Sequence, residues 1–158
     1  MQKEQIQEFT RRISQCNRTE LTVVTYDILF AYLKDAKADL KDAHSENYKQ
    51  NIRMAIKCIQ QLQETLDFSY KLAAELYRIY VYCRELLAAA LYKCRQEEMD
   101  ECESLLKKLY ESFCEVAKTD TSAPLMQNTQ AVYAGYTYGR SDVNENHANE
   151  SSNRGFLA

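Results

Sequence analysis

A chain of 158 residues with a formal net charge of -3 is long enough to bury a core of its own as one ordinary domain. Its charge balance excludes the clustered cations that displace counterions from nucleic-acid phosphates. The longest uninterrupted apolar run, Leu86 to Tyr92, covers about a third of the ~20 residues of a membrane span, and the opening Met-Gln-Lys-Glu-Gln lacks the apolar stretch of a signal peptide. The expectations are therefore no nucleic acid, no membrane insertion and a cytoplasmic chain. All three glycines (Gly135, Gly139, Gly155) and the only proline, Pro124, lie late in the sequence. What precedes them has no backbone punctuation of either kind, which predicts an all-α fold.

Residues 2 to 15 read as a short amphipathic segment with Ile6, Phe9 and Ile13 on one face. Such a piece is too short to hold its helix alone and must dock on something. The next helix, Leu21 to Ala43, is opened by Asn17, with Glu20 in the reciprocal capping-box position. Tyr26, Leu29, Leu33, Ala36, Leu40 and Ala43 form one apolar stripe at steps of three and four. Leu21, Val24, Ile28 and Ala31, with Tyr32, form a second on an adjoining face. One stripe makes a core, and the surplus needs a cover.

His44 and Ser45 break the chain, and the short turn predicts an antiparallel partner over 46 to 66. There Tyr48, Ile52, Ala55, Ile59, Leu62 and Leu66 keep a strict seam, with Met54 and Ile56 off it. Asp67, Phe68 and Ser69 offer caps for a long helix over 69 to 94, its seam Leu72, Leu76, Ile79, Cys83, Leu87 and Ala90. Tyr70, Ala73, Tyr77, Tyr80 and Val81 add a second flank there, rich in rings with a polar tip. The last helix, 97 to 118, carries Met99, Cys102, Leu106, Leu109, Phe113 and Val116 as its seam. Its opening carboxylates, Glu97, Glu98, Asp100, Glu101 and Glu103, complement the helix dipole as a solvated first turn. The fold class is thus all-α: an antiparallel four-helix bundle over 17 to 118, with a short extra N-terminal helix in segment 1 to 16 and a mostly disordered, flexible C-terminal tail over 119 to 158. Two sticky islands interrupt that tail, Val132 to Tyr138 and Gly155-Phe156-Leu157.

The sequence offers little chemistry. Six cysteines at 16, 58, 83, 94, 102 and 114 contain no C-x-x-C pair, and Cys58, Cys83 and Cys102 fall at apolar helix positions, so reduced core thiols are expected. Neither histidine, His44 or His147, belongs to a Glu-x-x-His pair or a zinc spacing, and there is no glycine-rich phosphate loop. Cys16 has no obvious base beside it. No catalytic residue, metal or cofactor is expected, and the chain does not read as an enzyme. The surplus faces point to binding.

The residues that carry those faces resemble a known family. Glu20-Leu-Thr-Val-Val-Thr-Tyr-Asp-Ile-Leu-Phe-Ala-Tyr-Leu-Lys-Asp-Ala-Lys37 is similar to the Leu-Tyr-Asp helix of the flagellin export chaperones, FliS. Ile52 to Leu66 resembles their second helix, Leu76-Tyr77-Arg78-Ile79-Tyr80-Val81-Tyr82 their Leu-Tyr-x-Leu-Tyr-x-Tyr run, and the likeness continues through Leu105 to Lys118. Ile28 stands where the family usually has glycine, Thr25 replaces a leucine, and the Asn-Pro-Tyr opening is absent. The tail, Val132-Tyr-Ala-Gly-Tyr-Thr-Tyr-Gly139 with Asn153-Arg-Gly-Phe156, is similar to that of clostridial members.

The resemblance implies a cytosolic chaperone that binds the disordered C-terminal segment of flagellin, prevents premature polymerisation and delivers the subunit to the flagellar type III export apparatus. An export-gate protein or flagellar assembly factor would be a further partner. Leu21, Val24, Ile28, Tyr32, Tyr77, Tyr80 and Val81 are the expected groove residues, with Tyr26 and Asp27 shaping the groove. Ile6, Phe9 and Ile13 would plug it in the empty state. A monomer or weak homodimer is expected. The competing expectation is a homo-oligomeric bundle with a structural or regulatory role, whose second stripes bury one another and which has no flagellin client.

Overall fold

The computed structural model describes residues 3–42 and 45–126. The expectations for Ala43, His44, His147 and the two tail islands lie outside the described residues. Within them the chain forms five α-helices: α1 Lys3–Gln15, α2 Arg18–Ala38, α3 Glu46–Glu64, α4 Lys71–Lys93 and α5 Glu97–Thr119. No strand occurs among the described residues, and the all-α class is as expected.

The start of α2 is a full capping box. Asn17 Oδ1 accepts from the Glu20 N–H at 2.8 Å, and Glu20 Oε2 accepts from the Asn17 N–H at 2.9 Å, so two otherwise orphaned donors are satisfied. The helix stops at Ala38, short of the expected Ala43, and Asp39–Asp42 tighten into a 3-10 turn. There Asn51 of α3 donates to the Asp39 carboxylate at 3.1 Å, which fastens the turn to the next helix. Ser45 caps α3 as expected, its Oγ accepting from the Tyr48 N–H at 3.2 Å. The cap of α4 is different from the one expected. Asp67 Oδ1 accepts from the Ser69 N–H at 2.9 Å and is consumed by the preceding turn, leaving Tyr70 at the N-cap without a side-chain bond. At the other end, Cys94 closes α4 in the left-handed conformation at φ 53°, donating its N–H to the Ala90 carbonyl at 2.9 Å.

In the bundle, α2 packs on α3 and α5, and α4 packs on the same two, so α2 and α4 stand on a diagonal. Contacts at opposite ends fix the neighbours as antiparallel. Lys37, late in α2, pairs with Asp100 and Glu103 at the start of α5. At the far end Thr19 donates to Asp120 just past α5 at 2.5 Å. Tyr48, early in α3, donates its hydroxyl to the Ala90 carbonyl late in α4 at 2.9 Å.

The core is built from the expected stripe of α2 (Tyr26, Leu29, Leu33, Ala36) and the seam of α3 from Tyr48 to Leu62. Leu76, Tyr80, Cys83, Leu87 and Ala90 of α4 and Met99, Cys102 and Leu106 of α5 complete it. Each large apolar side chain so buried contributes about 1.5 to 3 kcal/mol. Some seam assignments change. Leu72 is 61% exposed and Ile79 only half-buried; Ala73 and Tyr80 take the inward positions one residue on. Val116, near the end of α5, is 53% exposed. Tyr80 can face inward because its hydroxyl meets that of Tyr26 across the diagonal at 2.6 Å, which satisfies both buried polar atoms. Burial raises the pKa of both phenols above the ordinary value, so they stay neutral.

The acidic opening of α5 is more than a solvated turn. Asp100 and Glu103 hold Lys37, Glu98 meets Lys93 at 3.3 Å, and Glu101 accepts from the Tyr82 hydroxyl at 2.7 Å. These carboxylates clamp α5 to α2 and α4.

Candidate functional site

Helix α1 approaches α2 and no other helix closely among the described residues. It runs antiparallel to α2, because Arg12 near its end meets Asp27 midway along α2, whereas Ile6 shares a cavity with Tyr32, Asp35 and Ala38 further along. Its seating is shallow. Of the expected plug residues, Ile6 is 44% and Ile13 is 36% exposed, and only Phe9 is half-buried without reaching that range. A single-stripe helix left this open gains little apolar burial from its position.

Cavities flank it on both sides. One of about 500 Å³ lies toward α3, lined by Ile6, Tyr32, Asp39, Asn51 and Met54 among others. Two more, of about 370 and 440 Å³, lie toward α5: the first against Arg12, Cys16, Val23, Val24 and Ala117, the second against Gln5, Phe30, Ala31 and Glu103. Val24 itself is buried, yet it stands outside the bundle's core cluster. It lines a cavity together with Arg12 and Gln15 of α1 and Ala117 of α5.

The firmest tie between α1 and α2 is electrostatic. An Arg12 guanidinium nitrogen lies 2.6 Å from Asp27 Oδ2, with the side chains 34% and 21% exposed. Tyr110 of α5 is near the same carboxylate, whose influence, together with burial, raises the phenol's pKa. Arg12 also lies 5.9 Å from the Phe9 ring centroid. Beneath, Tyr26, Phe30, Tyr110 and Phe113 make a ring cluster joining α2 to α5, the Phe30 and Tyr110 rings meeting edge-on at 5.4 Å.

The nine residues expected at a groove do not form one surface. On α2, Leu21, Ile28 and Tyr32 are half-buried, Val24 lies beside α1, and Asp27 is ion-paired. Tyr26 is in the core, where it can shape the face only from below. On α4, across the diagonal, Val81 is half-buried and Tyr77 is 43% exposed, stacked edge-on to Phe68 at 5.8 Å. Tyr80 is 1% exposed and belongs to the core. Arg12, Tyr110 and Phe68 were not among the expected residues. Arg12 carried a weak signal, a cation one turn after Phe9 on an otherwise apolar face; nothing in the sequence linked Tyr110 or Arg12 to Asp27.

For small-molecule chemistry the surroundings are plain. Among the described residues no group of three His, Cys, Asp or Glu side chains is placed to hold a metal ion, and no helix is long and apolar enough to cross a membrane. What the site offers is a partly apolar face edged by carboxylates, Asp27, Glu20 and Asp35 among them, beneath a shallowly seated helix. Compared with known proteins, the chain has no match among curated sequences. A family model described as Flagellar protein FliS matches residues 1–120, which takes in all five helices.

Proposed function

The chain belongs to the FliS family, a family of flagellar export chaperones, and on that premise we propose that it acts in the cytoplasm by binding the C-terminal segment of flagellin. Bound, the segment cannot polymerise early and is carried to the flagellar type III export apparatus. The observation that carries this reading is the face of α2 beside α1: Val24 buried outside the core cluster, Tyr32 half-buried and sharing a cavity with Ile6, and cavities along both sides of α1. Amphipathic helices read such faces with apolar anchors at helical spacing.

In this reading α1 is the plug of the empty state. Ile6, Phe9 and Ile13 shield the face without filling it, and a client helix with a fuller apolar stripe displaces them. Tyr77, Val81 and Phe68 on the far side of the bundle suit a second helical stretch of a client that wraps around it. Ordering such a client costs on the order of 2 to 5 kcal/mol, which extensive apolar burial outweighs.

The test is calorimetric titration with the C-terminal segment of flagellin from the same organism, with circular dichroism of the mixture. A one-to-one complex, a negative heat-capacity change and new helicity support the reading. A folded protein giving neither heat nor added helix, and a mass that doubles at micromolar concentration, would replace it with the homo-oligomeric bundle that has no client.

A further inference from the structure

We propose, resting on the client reading above, that the helix which displaces α1 carries a basic residue of its own that takes over Asp27, so that α1 is a stand-in for the client in charge as well as in shape. Asp27 is four-fifths covered, and the group that holds it is the Arg12 guanidinium from α1, 2.6 Å away. When α1 leaves, the carboxylate loses the cation that pairs with it among the described residues. A client that then covered it with apolar surface alone would leave a charge desolvated and unpaired, which binding interfaces avoid. A cation on the client restores the pair and fixes the register of the incoming helix, as one charge pair in an apolar contact commonly does.

The seating of α1 gives the pattern that the client must match. Phe9 lies one turn before the cation and Ile13 directly after it, with Ile6 a further turn back, on a helix antiparallel to α2. The fitting partner is an amphipathic helix whose apolar stripe is edged by a single Arg or Lys near its C-terminal end. An acidic residue there would face Asp27 and be rejected.

A simple Asp27→Asn variant reads this poorly, because it removes the partner of Arg12 and of the client cation together. Arg12→Gln separates them. It frees Asp27 and loosens the plug, so binding of the flagellin C-terminal segment, followed by calorimetry, is expected to tighten about three- to tenfold. Adding Asp27→Asn to Arg12→Gln is expected to lose that gain, Asp27→Glu to keep much of it. In the Arg12→Gln chain, changing one basic residue of the segment to Gln loses the same factor, and loses nothing further once Asp27→Asn is present. Circular dichroism confirms that each variant is folded. Equal binding by Arg12→Gln and Arg12→Gln/Asp27→Asn, with every basic residue of the segment dispensable, overturns the inference and leaves the groove reading standing. No binding by the natural chain or any variant overturns the groove reading and the inference with it.

Discussion

Replacing Tyr26 by Phe isolates one oxygen at the centre of the bundle. The ring is fully buried against Phe30, Tyr110 and Phe113, and Phe keeps those contacts, so no cavity opens. What changes is the 2.6 Å hydroxyl pair with Tyr80, at the short, strong end of O–H···O geometry. Tyr80, 1% exposed, is left with a buried hydroxyl whose partner is gone, at a cost of about 1 to 3 kcal/mol. For a chain of this size each kcal/mol lowers the melting temperature by about 2 to 4 °C. Tyr80→Phe strands the other hydroxyl and is expected to cost a similar amount. Tyr26→Phe/Tyr80→Phe strands neither, and its loss is expected to fall about 1 to 2 kcal/mol short of the sum of the singles. Urea denaturation followed by circular dichroism measures all four chains. Single losses that simply add in the double variant would refute the diagonal bond as the reason that Tyr80 faces inward.

Other outcomes follow from the same structure. Asn17→Ala removes one half of the capping box and the 3.3 Å bond from Asn17 Nδ2 to the Asp120 carbonyl; a loss of about 1 kcal/mol is expected in the same denaturation assay, with fraying of the first turn of α2 seen by amide exchange. The Lys37 clamp makes stability depend on acid. Hydrogen bonding to Lys37 lowers the Asp100 pKa, and bonds from Lys107 and Lys37 outweigh burial to lower that of Glu103. Groups depressed on folding contribute above their unfolded values, 3.8 and 4.5, and lose that contribution as pH falls through the lower folded ones. Lys37→Met is therefore expected to flatten the acid limb of a melting-temperature profile, and a limb of unchanged steepness would remove the clamp from the account. Alkylation of the native protein at pH 8 is expected to reach Cys94 and Cys114, which are half-buried, before Cys16, Cys58, Cys83 and Cys102, which are buried. Burial also pushes the Cys58 thiol up to about 11. Peptide mapping before and after urea reads the order.

Helix positions and the inward faces of α2 and α3 were legible because one apolar period dominated each, as in Tyr48 to Leu62. In α4 two registers competed. Leu72 and Ile79 are more apolar than Ala73 and Tyr80, and a hydropathy stripe favours them; the bundle chose otherwise because Tyr80 had a hydroxyl partner on a helix that it does not adjoin. That choice took Tyr80 out of any exposed groove. The diagonal placement of α2 and α4 likewise split one imagined site into two faces, which no spacing within either helix could reveal. The surplus of α2 was visible, including Val24. The pairing of Arg12 with Asp27 was not, since an antiparallel hairpin brings those two together only once its turn geometry is set.

The bonds from Asn17 and Thr19 to Asp120 span 103 and 101 positions. Vectorial synthesis therefore meets the bundle in a fixed order. As the chain emerges, α2 waits for α3 and longest of all for α5, the last helix made, and closing so wide a loop is a late event. Until α3 has emerged, α1 is the one neighbour already present. The helix that lies shallowly over α2 in the finished fold is thus the first shelter that α2 has, at the stage when bare apolar stripes are most prone to aggregate.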